Sequence, residues 1–252
     1  MIRIIPTEFL KKLTGVETMV KKAFTFLMLG GLGAILLKFI LSFSEKTALP
    51  EVAAHYIEKG PSELGSANIV TSVVVTYRGL DTLGEVTILF AAAAVVGLLI
   101  HLNRNENAVR REGSELLKTA SVLLFPLILL FGAYVFINGH LSPGGGFQGG
   151  AIIASAVVLT VLASPNRKIG HTVLSVIESL SGLFYVGLGM AGAVLAVNGF
   201  LDNRIIPLGE FGSLFSAGLI PIIYTVIGLK VGSELSSVVI TLNGETVEED
   251  DQ

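Results

Sequence analysis

The sequence predicts an all-α integral membrane protein with about six transmembrane helices and a short interfacial helix near residues 67–77. Three observations carry that expectation. Of 252 residues, 52% are apolar and only 15% are charged, against about 25% charged in an ordinary soluble domain, and the mean hydropathy is +0.75. Six apolar runs are close to the roughly 20 residues needed to cross about 30 Å of hydrocarbon. None shows the alternating strands of about 10 residues that build a membrane barrel. An open sheet would leave its backbone groups unsatisfied in lipid.

The elements follow in chain order. Residues 1–22 are mixed and basic and read as a cytoplasmic amphipathic lead-in. They do not read as a cleaved signal peptide, because no A-x-A site follows the apolar run. The first span is 23–43, interrupted by Lys38. The stretch 67–77 (ANIVTSVVVTY) is apolar but short. As a helix it covers about 16 Å, which suits an interfacial or re-entrant segment. The second span is 81–102, the third 116–138, the fourth 147–163, the fifth 169–198 and the sixth 211–229. The hydrophilic stretch 103–114 divides a two-span part (1–105, with the short outer helix) from a four-span part (106–240). Residues 241–252 form an acidic cytoplasmic tail containing Glu245, Glu248, Glu249, Asp250 and Asp251.

Charge bias orients these spans. Six spans with a cytoplasmic N-terminus put twelve basic residues inside, Lys118 and Lys230 among them, and four outside: Lys46, Lys59, Arg78 and Arg204. If 67–77 also spanned, the count would become seven inside and nine outside. The positive-inside rule therefore favours six spans, both termini cytoplasmic, in the cell membrane. The chain has no cysteine, which excludes disulfides, thiolate catalysis and cysteine metal sites. Nothing in the charge pattern points to nucleic acid. No H-E-x-x-H motif or nucleophile–base pair is present, so an intramembrane hydrolase is poorly supported. No cofactor site is expected in it.

Several motifs carry two readings. Gly187, Gly189 and Gly192 spell G-x-G-x-x-G, but in mid-span. A nucleotide fingerprint needs a strand before it and a helix start, so close helix packing through small residues is the better reading. His140 begins HLSPGGGFQGG, which brings Gly144, Gly145, Gly146, Gly149 and Gly150 together. That stretch is either a packed turn or, with His140, the lining of a hydrated path. The run Arg78–Glu85 (RGLDTLGE) leads into the second span. Asp81 and Thr82 suit a helix start, with Glu85 three residues on as in a capping box. Glu85 also lies about one turn inside the span, where an acid needs a partner, a proton or water. Arg78 is the expected partner. Lys38 and Glu178 are the other ionisable groups within spans. Each is either a solvated or snorkelling helix-end group or part of an ion path. Pro126 and Pro221 fall inside spans three and six and are expected to kink them. His55, His101 and His171 are assigned no site.

With these residues in view, two resemblances appear. Residues 112–240 resemble the MnhB-type subunit of Mrp multisubunit sodium/proton antiporters, on FGAYVFINGHLSPGGGFQGGAIIASAVVL at 131–159. Residues 66–102 resemble the E-type small subunit of membrane-bound hydrogenases and the C-terminal end of the large Mrp subunit, on NIVTSVVVTYRGLDTLGEVTILFAAAAVV at 68–96. The chain thus looks like a fusion of two pieces that are often separate, which fixes them at one-to-one stoichiometry. The resemblance implies a non-catalytic membrane subunit of an Mrp-like module, either free-standing or inside a hydrogenase or sulfur-reducing complex. Other membrane subunits and the lipid bilayer would be its partners, and Na+ and H+ the transported ions. It implies Glu85 as the leading residue of a sodium or proton path; Asp81, Arg78, Glu178, Lys38 and His140 are further candidates by their own positions in the sequence. Two rivals belong to other classes. A lone transporter would be expected to show inverted repeats, and none is found. An assembly scaffold would tolerate neutral replacements of Glu85 and Glu178.

Overall fold

The computed structural model describes residues 7–43, 48–102, 112–166, 170–196 and 199–243. The acidic tail and most of the stretch 103–114 lie outside those residues, as do several of the basic residues counted above. The chain divides into two units, Met1–Pro50 and Glu51–Gln252.

The first unit holds α1, Thr7–Ser42, a continuous helix of 36 residues. From residue 7 onward the basic lead-in and the first span are therefore one element. Its stretch Met19–Ser42 is long and apolar enough to cross a membrane.

The second unit begins with α2, Glu51–Leu64. Sequence reasoning passes over it as a connection, since its 14 residues mix charges with apolar groups and cannot span. Next comes the short segment expected near 67–77, in two parts. A single turn, α3 (Ile69–Ser72), is capped by Asn68, whose side chain accepts from Thr71 N. It runs into a π-helical turn, Val73–Tyr77. The segment is rich in valine and threonine, whose branched side chains crowd a regular helix. Thr71, Ser72 and Val75 are buried.

The remaining spans are α4 (Gly79–Leu102), α5 (Glu115–Ile137), α6 (Gly146–Ala163), α7 (His171–Ala191) and α8 (Ile220–Leu242). A π turn, Gly192–Ala196, extends α7. With α1 they make six helices able to span, and no strand occurs among the described residues. Ser114 caps α5 by accepting from Leu117 N.

The last span departs from its expected bounds, 211–229. Residues 206–219 are turns, with positive φ at Gly209, Gly212, Ala217 and Gly218, a conformation that no right-handed helix contains. The helix instead runs on through Lys230 and Glu234 to Leu242. Pro221 consequently sits in the first turn, where its missing N–H is unneeded, and it does not kink the span. Pro126 does lie inside its helix, α5.

Helix α8 is the centre of the second unit, packing against α4, α5, α6 and α7. Glycines set those distances. A Cβ on Gly149 would lie 2.6 Å from the Gly132 carbonyl of α5, and one on Gly150 would lie 2.8 Å from the Gly228 carbonyl of α8. Backbone meets backbone at both crossings, so small residues are required there.

Two asparagines tie the loops together. The Asn68 carboxamide donates to the Gly139 and Ser142 carbonyls at 2.9 and 3.0 Å. Asn203 donates to the Leu64 carbonyl at 3.1 Å and accepts from Leu219 N at 2.7 Å. The second tie satisfies a free N–H at the start of α8.

Candidate functional site

The run Arg78–Glu85 is shaped by the π turn before it. Arg78 N donates to the Val73 carbonyl at 2.8 Å. The widened turn leaves the Val74 carbonyl to accept from the Thr82 hydroxyl at 2.7 Å. Helix α4 has already begun at Gly79, so Thr82 lies inside it and the expected capping box with Glu85 does not form. Arg78 is committed elsewhere too. Its guanidinium holds Asp81 at 2.5 and 2.6 Å and is not the partner of Glu85. Among the described residues Glu85 has no hydrogen bond or ion pair. It is exposed on α4, within electrostatic reach of Tyr185 and Tyr224.

His140 is fully buried. Its Nε2 lies 3.4 Å from the Ser213 carbonyl, so the proton sits on Nε2 and that nitrogen donates. Nδ1 is buried without a partner among the described residues. Burial pushes its pKa below the usual histidine value, because desolvation disfavours the imidazolium. The His140 carbonyl accepts from Asn68 N and Ser66 Oγ, both at 3.0 Å. The glycines beside it pack rather than open. A Cβ on Gly144 would meet Val135, one on Gly145 would meet Tyr224, and one on Gly146 would meet Ile227. Gly189 likewise packs within the chain: a Cβ there would fall 2.1 Å from the Phe200 ring.

Sequence reasoning missed a pair of buried charges inside a span. Lys230 and Glu234 lie one turn apart on α8, with Nζ 3.4 Å from Oε2. They are 7% and 1% exposed. Lys230 Nζ also lies 5.0 Å from the centre of the Phe90 ring, a cation–π distance. Neither carboxylate oxygen of Glu234 has a hydrogen bond among the described residues. Glu178, expected from the sequence, joins this group. It lines a 360 Å³ cleft between α4 and α7 together with Phe90, Gly182, Tyr185 and Lys230. Its charge acts on Glu234. The missed signal was the apolar run Leu235–Leu242, which follows Glu234 and places the pair inside a span rather than beyond it. Lys38, in the other unit, is exposed on α1.

A second polar cluster gathers around Glu63 of α2. Its carboxylate accepts from the Tyr77 hydroxyl and lies 3.3 Å from His55 Nε2. The Tyr77 hydroxyl holds the Glu63 pKa below the usual carboxylate range. The Tyr56 and Tyr77 rings stack at 4.7 Å. Among the described residues no group of three or more His, Asp or Glu is placed to hold a metal.

Fold and charges together define a multi-pass helical membrane protein with ionisable groups buried inside its spans. Residues 116–237 match the family described as a domain related to the MnhB subunit of Na+/H+ antiporters, and residues 20–112 match the E-type subunit of MBH. An uncharacterized protein of Methanocaldococcus jannaschii is 31% identical over 71% of this chain and 78% of its own length. A chain of the membrane-bound sulfane sulfur reductase, an archaeal respiratory membrane complex, is 44% identical with a TM-score of 0.76, over 88% of this chain and 98% of that one. A chain of the Mrp complex from Dietzia sp. shares the fold (TM-score 0.71, 24% identity) over 94% of this chain and 27% of its own. The chain belongs to the MnhB-related family, here with an MBH E-type segment and the MnhB-related domain in one polypeptide.

Proposed function

We propose that this chain is a non-catalytic membrane subunit of an Mrp-like Na+/H+ antiport module that is part of an energy-converting respiratory complex. The observation that carries the reading is the likeness to a single chain of the sulfane sulfur reductase along almost its whole length, at 44% identity. The match to the Mrp complex at 24% identity speaks for the fold and makes a free-standing antiporter the second reading. Other membrane subunits are the partners, and the large exposed apolar faces of α4, α5 and α7 are available to them and to lipid. The host is the cell membrane, with both termini cytoplasmic. The chain supplies no cofactor of its own.

The test is purification of the native assembly in mild detergent through a tag on this chain. Antiporter-like membrane subunits together with redox subunits are expected, in an assembly whose vesicles couple cation and proton movement. A chain that purifies alone and transports alone would overturn the reading. Partners without redox subunits would transfer it to the free-standing antiporter.

A further inference from the structure

We propose that Lys230, Glu234 and Glu178 form a proton-transfer station in the middle of the membrane, reached from the cleft between α4 and α7; this rests on the antiport-module reading above. Four observations converge. Lys230 sits about ten residues from either end of α8, roughly 15 Å deep at 1.5 Å per residue. Lys230 and Glu234 are both buried and face one another at 3.4 Å. Lys230 lines the cleft that Glu178 also lines, so one end of the pair is open to exchange. Glu234 Oε1 and Oε2 are buried without a hydrogen bond, and so is Ser237 Oγ, three residues further along the same face.

A purely structural ion pair is a poor account of this arrangement. Burying two charges costs more than their attraction returns unless further hydrogen bonds satisfy them, and Glu234 has none among the described residues. A lysine is also the basic side chain whose proton affinity a buried site can tune, whereas arginine stays charged. A resident metal cation is disfavoured, because the ammonium already occupies the carboxylate. The other elements packed against α8 add little charge to the site. α6 carries no ionisable residue, α5 carries Glu115 and Lys118 near its start and Tyr134 near its other end, α7 adds His171 at its start and Tyr185 in the cleft, and α4 brings Glu85, whose charge reaches Tyr185 and Tyr224.

In the transfer the Nζ–H bond of Lys230 breaks as the Oε2–H bond of Glu234 forms. A charged pair becomes an amine and a carboxylic acid, with the total charge unchanged. The amine regains a proton from water in the cleft beside Glu178. The acid releases its proton along the same helix face toward the Ser237 hydroxyl, which both accepts and donates.

The experiment uses inside-out vesicles containing the complete complex, with subunit content checked by gel and proton movement read by a pH-sensitive dye after a sodium jump. Lys230→Arg keeps the positive charge and the pair but does not release a proton. The expected result is normal assembly with proton movement reduced by about a hundredfold, the scale of a lost acid–base group. The paired variant Lys230→Met with Glu234→Gln removes both charges at similar volume and is expected to fail in the same way; it decides the matter if the arginine variant does not assemble. Wild-type proton movement in either assembled variant, across the pH range, overturns the proposal and leaves the subunit assignment intact. Absence of sodium-driven proton movement in the wild-type complex overturns both.

Discussion

Glu85 is the residue whose meaning the structure changes most. As a capping-box acid it would have had a structural reason to be there. The Thr82 hydroxyl instead binds the Val74 carbonyl and Arg78 is taken by Asp81. An acid inside a span with neither duty marks an ion path or a polar partner helix. Glu85→Gln keeps size and hydrogen-bonding reach but cannot ionise. The expected outcome is intact assembly with cation-coupled transport reduced by about a hundredfold and partly kept in Glu85→Asp; wild-type rates in the Gln variant across the pH range would remove Glu85 from the path. His140 makes a different kind of prediction. Burial lowers its pKa, so the folded state holds it neutral while the unfolded chain protonates near the usual value of about 6.5. Its contribution to stability is therefore full above about pH 6.5 and is lost as pH falls below that toward the folded value. Melting of the detergent-solubilised complex should drop between about pH 7.5 and 5.5, and the drop should be smaller in His140→Gln. An equal drop in both would show that other groups set the pH dependence.

Helix crossings give the clearest contrast between neighbouring small residues. Gly150 stands against the Gly228 carbonyl and Val231, whereas a Cβ on Gly187 meets nothing within 4 Å. Gly150→Val should destabilise the chain by about 1–3 kcal/mol or more, as overpacked cores do, while Gly187→Val should leave its own fold unchanged. Comparing the melting temperatures of the two purified variants tests this, and equal shifts would refute the crossing geometry. The glycine-rich turn and the helices it joins were legible in the sequence, because apolar length and small residues are local signals. What Gly189 packs against was not. Its small size spoke for a close approach, and the neighbour is Phe200 of the same chain, a contact made across a turn. The sixth span was misplaced for a related reason. Lys230 and Glu234 look like a helix end when read singly, but both are good helix formers and the run Leu235–Leu242 continues the same helix behind them. The short helix α2 gave no hydropathy signal at all.

For the molecule as a whole, orientation is the open quantity that charge addresses. Removing Lys230 from the cytoplasmic tally leaves eleven basic residues against four, so the expectation of two cytoplasmic termini from the positive-inside rule is unchanged. Single cysteines at Asn107 and Arg167 should react with impermeant reagent only from the cytoplasmic side, and labelling from the outside would reverse the topology. The cysteine-free background makes the readout unambiguous.

Asn68 carries a consequence for how the polypeptide is put together. It and Thr71 lie in the segment that matches the MBH family, and the carbonyls they hold, at Gly139 and Ser142, lie in the MnhB-related domain. Those bonds, with the packing of α4 on α8, join the two matched parts without any help from the covalent link between them. Covalent continuity then acts only by raising the local concentration of one part near the other. Two separate open reading frames, one ending and the next beginning near residue 107, should yield halves that find each other in the membrane and restore the complex; halves that never co-purify would mean that the peptide bond, not the interlock, holds them together.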